Sequence, residues 1–259
     1  MYDWPETRSH LDTFWNRLQP ALQQLCDATP THLNRTNLHS QWQSDDLLLS
    51  QSCAYPLITS LPKSTVVVGT PVYQCDFCED GLYASPIVVR RTDKRQTLSA
   101  FATAKLAFNS RGSQSGFNAL KSLLESEQLI NEREPTFFND SIETGSHRVS
   151  VAAVANGRAD ICAVDPVSWA LAKRFDKDAT ALRVLTTTAF SPALPLISSA
   201  MAIPTHMDEQ QWCKSVMQAF EQAIDSDALE HLLLKSVSFI PKSRYLTLNI
   251  SNLDMITSP

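Results

Sequence analysis

Residues 105–117 of this 259-residue chain read Lys-Leu-Ala-Phe-Asn-Ser-Arg-Gly-Ser-Gln-Ser-Gly-Phe. The apolar run at 105–108 predicts a buried strand, and the pattern at 115–125 predicts a helix. The turn between them presents backbone N–H groups and small hydroxyl side chains at the positive end of a helix dipole. Such a turn suits an anion, although a serine that only caps the helix, Ser113 or Ser115, explains the same pattern equally well.

A second turn of the same kind, Glu143-Thr144-Gly145-Ser146-His147, precedes a helix predicted at 147–156. Its hydroxyl, amide and ring N–H groups are hydrogen-bond donors, so two such turns favour one shared anionic ligand. Asp165 follows a predicted strand at 160–164 and precedes Pro166. Its carboxylate is suited to accept from a ligand ammonium or from His147, and equally to cap the following helix.

Strands and helices alternate along the rest of the chain. This alternation predicts an α/β fold with mainly parallel sheets. Pro20 is expected to kink or split the first helix. The predicted helices are 8–25, 115–125, 147–156, 166–174 and 208–224, and the predicted strands are 47–49, 66–68, 86–90, 105–108, 136–138, 160–164 and 183–188.

The amino-acid composition argues against some classes of function. With 22 basic against 27 acidic residues the net charge is −5, which argues against binding to nucleic acid or to an anionic membrane. Hydrophobic residues make up 43% of the chain, enough for a full core. No apolar run reaches the roughly 18–20 residues of a membrane span. Residues 1–6 lack the features of a signal peptide.

Motifs for the common catalytic and metal sites are missing. A nucleophile elbow needs serine where Gln114 stands between Gly112 and Gly116, and neither a P-loop nor a G-x-G-x-x-G motif occurs. Cys75-x-x-Cys78 lacks the second pair of a zinc ribbon. No enzyme activity, metal or cofactor is therefore expected. The histidines other than His147 are isolated in sequence and read as ordinary surface or core residues: His10, His32, His39, His206 and His231.

Seven segments belong together by their order and spacing: Met1–Glu6, Leu49–Pro56, Gly69–Tyr73, Tyr83–Ser85, Asn109–Gly116, Thr144–His147 and Val154–Asp160. They resemble the PhnD-like phosphonate/phosphate/phosphite-binding proteins of ABC transporters, from residue 1 to about 200. The pair of anion-binding turns is the most specific part of the resemblance.

The resemblance implies a type 2 periplasmic-binding-protein fold, in which two α/β lobes close on a ligand in the cleft between them. One lobe would comprise residues 1–82 plus 191–259, and the other, inserted lobe residues 83–190. Hinge crossovers would fall near 83–85 and 189–192.

The resemblance also implies a ligand set. Hydroxyls and amides of one turn would hold the oxyanion together with His147, with Asp165 as a further member. Residues at strand ends and in the turn from Gln51 to Tyr55 would line the other wall. The set is Tyr2, Gln51, Tyr55, Tyr83, Ser85, Ser113, Gln114, Ser115, Gly116, His147 and Asp165.

The expected function is capture of a small tetrahedral oxyanion (a phosphonate, phosphate or phosphite) by a monomer that serves an ABC transporter permease. One alternative is a cytosolic or tethered sensor with the same cleft. Another is an enzyme on the same two-lobe fold that uses His147. The resemblance places the protein in the periplasm, whereas the chain as written carries no signal peptide and would be cytoplasmic if complete.

The resemblance further implies a disulfide between Cys53 and Cys78 in an exported protein, with Cys75 as the rival partner. We expect mass spectrometry of a non-reducing digest to recover a peptide pair joined through Cys53 and Cys78. Free thiols at both positions would contradict the exported form.

Overall fold

The computed structural model describes residues 2–248, which divide into two compact units. Unit 1 contains residues 2–74, 78–82 and 192–247, and unit 2 contains residues 75–77, 83–191 and 248. The chain therefore changes unit after residues 74, 77, 82, 191 and 247, and the long inserted stretch of unit 2 lies between residues 82 and 192. Nine α-helices and twelve strands are assigned to the described part of the chain.

The helices are α1 (Arg8–Leu25), α2 (Leu38–Trp42), α3 (Ala54–Thr59), α4 (Ala119–Ser126), α5 (His147–Ala155), α6 (Pro166–Phe175), α7 (Glu209–Ala223), α8 (Ser226–Leu232) and α9 (Lys242–Leu246). The strands are β1 (Ser50–Gln51), β2 (Thr65–Tyr73), β3 (Cys78–Glu79), β4 (Leu82–Tyr83), β5 (Pro86–Arg90), β6 (Lys105–Phe108), β7 (Asp140–Glu143), β8 (Ile161–Ala163), β9 (Leu182–Thr187), β10 (Ser191–Pro192), β11 (Leu196–Ser199) and β12 (Leu234–Ser238). The short strands β10, β4 and β3 form a three-stranded sheet of their own, in that order.

Unit 1 is built on a four-stranded sheet of order β1-β11-β2-β12. Its strand pairs are antiparallel, and the central strand β2 is buried along nearly its whole length. Helices α1 and α7 pack their apolar faces into one core with this sheet, and Trp212 and Val216 are fully buried there. These helices hold the unit together because their apolar residues recur on one face.

Unit 2 is built on a five-stranded sheet of order β7-β6-β8-β5-β9. β6 pairs in parallel with both β7 and β8, whereas β5 is antiparallel to both β8 and β9. The carboxyl ends of β6, β7 and β8 therefore share one edge with the start of β5 and the end of β9. Turns at that shared edge are brought together by the sheet itself.

Most of the predicted elements are confirmed, including the helices now seen as α1, α5, α6 and α7 and the strands β5, β6, β8 and β9. The expectation of mainly parallel sheets is wrong, because antiparallel pairs make up the whole four-stranded sheet. Strands covered on both faces are apolar in either direction, so their sequence pattern carries no information about direction.

Three local predictions also need correction. Pro20 does not split α1, which runs as one helix from Arg8 to Leu25, so the expected split is wrong and the expected kink stays a prediction. Residues 47–49 are not a strand, although Leu47 and Leu48 are buried beside β1. The strand predicted at 136–138 lies later, at β7, and the apolar run itself fills the core of unit 2 as an irregular segment.

Among residues 2–248, no helix combines the length and the apolar character that crossing a membrane requires.

Candidate functional site

The first predicted turn begins directly after β6 and leads into a single π-helical turn, Gln114–Asn118, which continues as α4. The Gly116 amide donates to Ser113 Oγ at 3.0 Å, and the Asn118 amide donates to the Ser113 carbonyl at 3.0 Å. The Asn118 side chain holds the same carbonyl from a second direction, at 2.8 Å. The capping alternative is therefore confirmed for Ser113. The Ser115 side chain makes a different contact, with His147.

The second predicted turn is bonded to the first. The Gly145 amide donates to the Asn109 carbonyl at 3.0 Å, and the Thr144 hydroxyl donates to the Phe108 carbonyl at 3.0 Å. Ser146 caps α5 by accepting from the Val149 amide at 3.2 Å. The two turns thus form one rigid edge of unit 2, with the N-termini of two helical segments beside each other.

Ser115 and His147 connect the two helical segments directly, with 3.0 Å between Ser115 Oγ and His147 Nε2. Gly116 lies against the same pair of turns. A Cβ atom at Gly116 would lie 1.9 Å from Asn109 Oδ1 and 2.9 Å from His147 Cε1. Glycine is required here because the neighbouring side chains occupy the space of any larger residue, and the close approach is what lets the turns meet.

The pKa of the His147 ring is lower than its ordinary value. Burial lowers the pKa of His147 from its usual 6.5 to about 4, and a hydrogen bond with the Ala163 carbonyl only partly offsets this effect. Desolvation disfavours the charged ring, so the imidazole is neutral at physiological pH. A neutral ring has one donor and one acceptor nitrogen, and Ser115 occupies one of them.

Other members of the expected ligand set lie at the same edge of the unit 2 sheet. Ser85 precedes β5, and its amide donates to Thr188 Oγ1 at 2.8 Å while its hydroxyl is buried with no hydrogen-bond partner among the described residues. Asn109 Oδ1 is buried and equally unpartnered within residues 2–248. Tyr83 is almost fully buried. Buried polar atoms that lack a protein partner are those that a ligand or water satisfies.

Asp165 lies at the N-terminus of α6, immediately after β8. Its Oδ1 accepts from the Ser168 amide at 3.0 Å, and the residue is 2% exposed. The helix-capping alternative is therefore what the structure shows for this oxygen. A role in binding a ligand ammonium stays a prediction.

The remaining expected residues belong to unit 1. Gln51 Nε2 donates to the Tyr73 hydroxyl at 3.2 Å and to the Leu194 carbonyl at 3.3 Å. The Tyr2 ring meets the Tyr73 ring edge to face, with centroids 5.2 Å apart. Tyr55 lies in α3 and is half-buried. Their ligand role stays a prediction.

Three residues that lie beside the expected ligand set were not part of it: Asn109, Thr188 and Tyr73. Each stands at or just beyond the end of a strand, where polar side chains are collected at a sheet edge. A polar side chain at the end of a strand is the signal by which these three residues could have been found.

We predict that the free energy of unfolding falls as the pH is lowered from about 6.5 to about 4, by more in the native protein than in His147→Gln. The pKa of His147 is depressed in the folded state, so the unfolded chain binds the extra proton in this window and stability is lost on acidification. Since His147 as a whole residue is half-buried and one pKa unit is worth about 1.4 kcal/mol, the excess loss should be on the order of 2 kcal/mol. Urea unfolding at several pH values measures it, and parallel profiles would contradict the assignment.

We predict that Gly116→Ala distorts the edge where the turns meet, because the new methyl group would overlap Asn109 Oδ1. The expected cost is about 1–3 kcal/mol, as for overpacking elsewhere. Gly157→Ala is the control, since open space surrounds Gly157, although its φ of +74° adds backbone strain. A shift in the His147 ring NMR signals is expected in Gly116→Ala alone, and unchanged signals would show that the turns tolerate the methyl group.

The chain is similar to known proteins in its family and in its fold. The family described as the periplasmic substrate-binding proteins of phosphonate ABC transporters matches residues 46–239. No curated protein sequence matches the chain.

Similar solved structures share the fold at low sequence identity. PhnD1 from Prochlorococcus marinus, in complex with methylphosphonate, is 16% identical with a TM-score of 0.69, covering 92% of this chain and 90% of that one. A binding-protein component of an ABC phosphonate transporter from Pseudomonas aeruginosa is 15% identical with a TM-score of 0.63, covering 89% and 76%. A Xanthomonas citri protein bound to ATP is 17% identical with a TM-score of 0.61, covering 92% and 91%.

The predicted type 2 periplasmic-binding-protein fold is confirmed by these neighbours, and so is the resemblance seen in the sequence. The matched region contains both bonded turns, His147 and Asp165. The chain belongs to the family of periplasmic substrate-binding proteins of phosphonate ABC transporters.

Proposed function

We propose that this protein captures a small tetrahedral oxyanion, namely a phosphonate, phosphate or phosphite, and delivers it to an ABC transporter permease. The observation that carries the proposal is the 3.0 Å contact between Ser115 Oγ and His147 Nε2, which joins two helix N-termini at one edge of unit 2. Helix N-termini that converge supply amide donors and dipole fields of the same sign, and an anion is the ligand that both favour.

Neutral donors suffice for this ligand without a lysine or arginine. A hydrogen bond to a charged group contributes about 1.5–3 kcal/mol, and a micromolar complex needs about 8 kcal/mol. Four to six donors from the bonded turns would meet that requirement after ordering costs. Ser115, Ser85 and the amides at the start of the π-helical turn are the donors that the geometry makes available.

The neutral state of His147 determines how it takes part. If Nε2 carries the single proton of the neutral ring and donates it to Ser115 Oγ in place of the Ala163 carbonyl, the serine hydroxyl is free to donate to the anion. A bound anion favours this tautomer, because His147 then donates to Ser115 and the Ser115 hydroxyl donates to the anion. His147 is therefore a positioning residue for Ser115 in this proposal.

The same properties favour a binding protein over an enzyme. With a pKa of about 4, His147 is a weak general base at neutral pH. Asp165 Oδ1 is engaged in capping α6. We further propose that the protein acts as a monomer in the periplasm, and that Tyr2, Gln51 and Tyr55 take part in ligand binding.

We expect calorimetric titration to find micromolar or tighter binding for at least one of methylphosphonate, phosphate, phosphite and aminoethylphosphonate. Sulfate tests whether the charge and shape of a tetrahedral anion are sufficient for binding. ATP tests whether the site also accepts a larger phosphate compound. Ser115→Ala should weaken binding of the preferred ligand by about 10- to 100-fold, in line with the loss of one hydrogen bond to a charged group.

Ser126→Ala is the matched control, because Ser126 is exposed at the end of α4 and bonds only its own helix through the Leu123 carbonyl, as the structure shows. Equal affinities for the native protein and Ser115→Ala would refute the proposed site. Absence of binding to every tested oxyanion would refute the proposed ligand class.

Asp165→Asn tests whether the protein selects a zwitterionic ligand. The amide oxygen preserves the cap on the Ser168 amide, so the fold should be retained. If Asp165 pairs with a ligand ammonium, the affinity for aminoethylphosphonate should fall at least about tenfold more than that for methylphosphonate. An equal loss for both ligands, or no loss for either, would remove that role.

A further inference from the structure

A cluster of metal-binding side chains lies in unit 1, in the part of the fold formed by α1 and α8. His10 stands in the first turn of α1, and Asp227 and His231 stand four residues apart on α8. His10 Nδ1 is 2.8 Å from Asp227 Oδ1, and His231 Nε2 is 3.9 Å from the same oxygen. One ligand atom from each residue lies within 4.8 Å of those from the other two.

The two histidines, read as isolated in the sequence, are neighbours in space. Their rings stack with centroids 3.8 Å apart and planes inclined by 13°. The helices that carry them are fixed by packing: α1 buries Phe14 and Leu18 in the unit 1 core, and α8 buries Ala228. The fold therefore fixes the backbone positions of the three residues, and their side chains can turn.

Their spacing is close to that of a metal site. Zinc binds imidazole nitrogen and carboxylate oxygen at about 2.0–2.2 Å, which puts tetrahedral ligand atoms about 3.3 Å apart. The observed separations of 2.8 and 3.9 Å lie on either side of that value. A metal ion lies in the plane of each imidazole that coordinates it, so binding one ion requires the two rings to rotate out of their stack. The three side chains keep about 30% of their surface exposed, which leaves room for that rotation.

The surrounding charges also favour a cation. Asp225, Asp227 and Glu230 bring three carboxylates to the cluster, against one guanidinium from Arg17. Arg17 pairs with Asp225 and lies 3.8 Å from Asp227 Oδ2. Asp227 Oδ2 is buried and has no hydrogen-bond partner among residues 2–248, so only Oδ1 is presented toward the histidines.

We propose that His10, Asp227 and His231 form a binding site for one divalent transition-metal ion, with Zn²⁺ as the principal candidate. Two imidazoles and one carboxylate are the donor set that such ions share, and a water molecule completes the coordination. The ion replaces the His10–Asp227 hydrogen bond and ties α1 to α8. Its effect is to stabilise unit 1, apart from oxyanion binding in unit 2.

The test is calorimetric titration of Zn²⁺ into the full chain, after chelator treatment and with thiols alkylated so that the cysteines cannot serve as ligands. We expect one equivalent to bind, and the melting temperature to rise with Zn²⁺ concentration as it does for any ligand of the folded state. Titration with Co²⁺ should give the visible absorption of a four-coordinate nitrogen and oxygen site.

Two variants locate the site. Asp227→Asn keeps the shape of the side chain and removes its charge, and His231→Gln removes one imidazole. Each should weaken Zn²⁺ binding at least about tenfold, the scale on which zinc sites respond to changes around the ion. His206→Gln is the matched control, since His206 is exposed and lies outside the cluster.

Circular dichroism of each variant without metal separates loss of the site from loss of the fold. If Asp227→Asn unfolds, His231→Gln decides the question. Failure of the native protein to bind one equivalent of Zn²⁺ would overturn the proposal. Binding of equal strength in a folded cluster variant would overturn it as well.

Discussion

The bonding of two turns to each other is the constraint on which the candidate site of unit 2 depends. Gly116 allows the approach because no side chain separates its backbone from Asn109 and His147. The Ser115–His147 contact then couples the start of the π-helical turn to the start of α5. Because the ring is desolvated it stays neutral, so this edge carries donors without a fixed positive charge.

Sheet topology explains why these turns meet although 30 or more residues separate them. β6 lies between β7 and β8 in parallel pairing, so the segments that follow all three strands leave from one edge. β5 begins at this edge and β9 ends there, which brings Ser85 and Thr188 to the same place. The candidate site is therefore assembled from ordinary turns, which meet because these strands begin or end at the same edge of the sheet.

The sequence predicted the parts that depend on local pattern. Hydroxyl residues and glycine between an apolar strand and a helix marked both turns, and Ser113 and Ser146 cap as such residues do. Strand direction could not be predicted, because β2 and β11 are buried on both faces and a buried strand has the same pattern whichever way it runs. Stacking of His10 on His231 was equally out of reach, since only the packing of α1 and α8 brings together residues so far apart in sequence.

A high-resolution crystal structure of the complex with methylphosphonate would locate the bound anion. We expect the phosphonate oxygens at hydrogen-bond distance, about 2.7–3.1 Å, from Ser115 Oγ and from backbone amides at the start of the π-helical turn, with His147 still bonded to Ser115. Phosphonate bound elsewhere, with these turns unchanged and filled by the protein's own side chains, would contradict the proposed site.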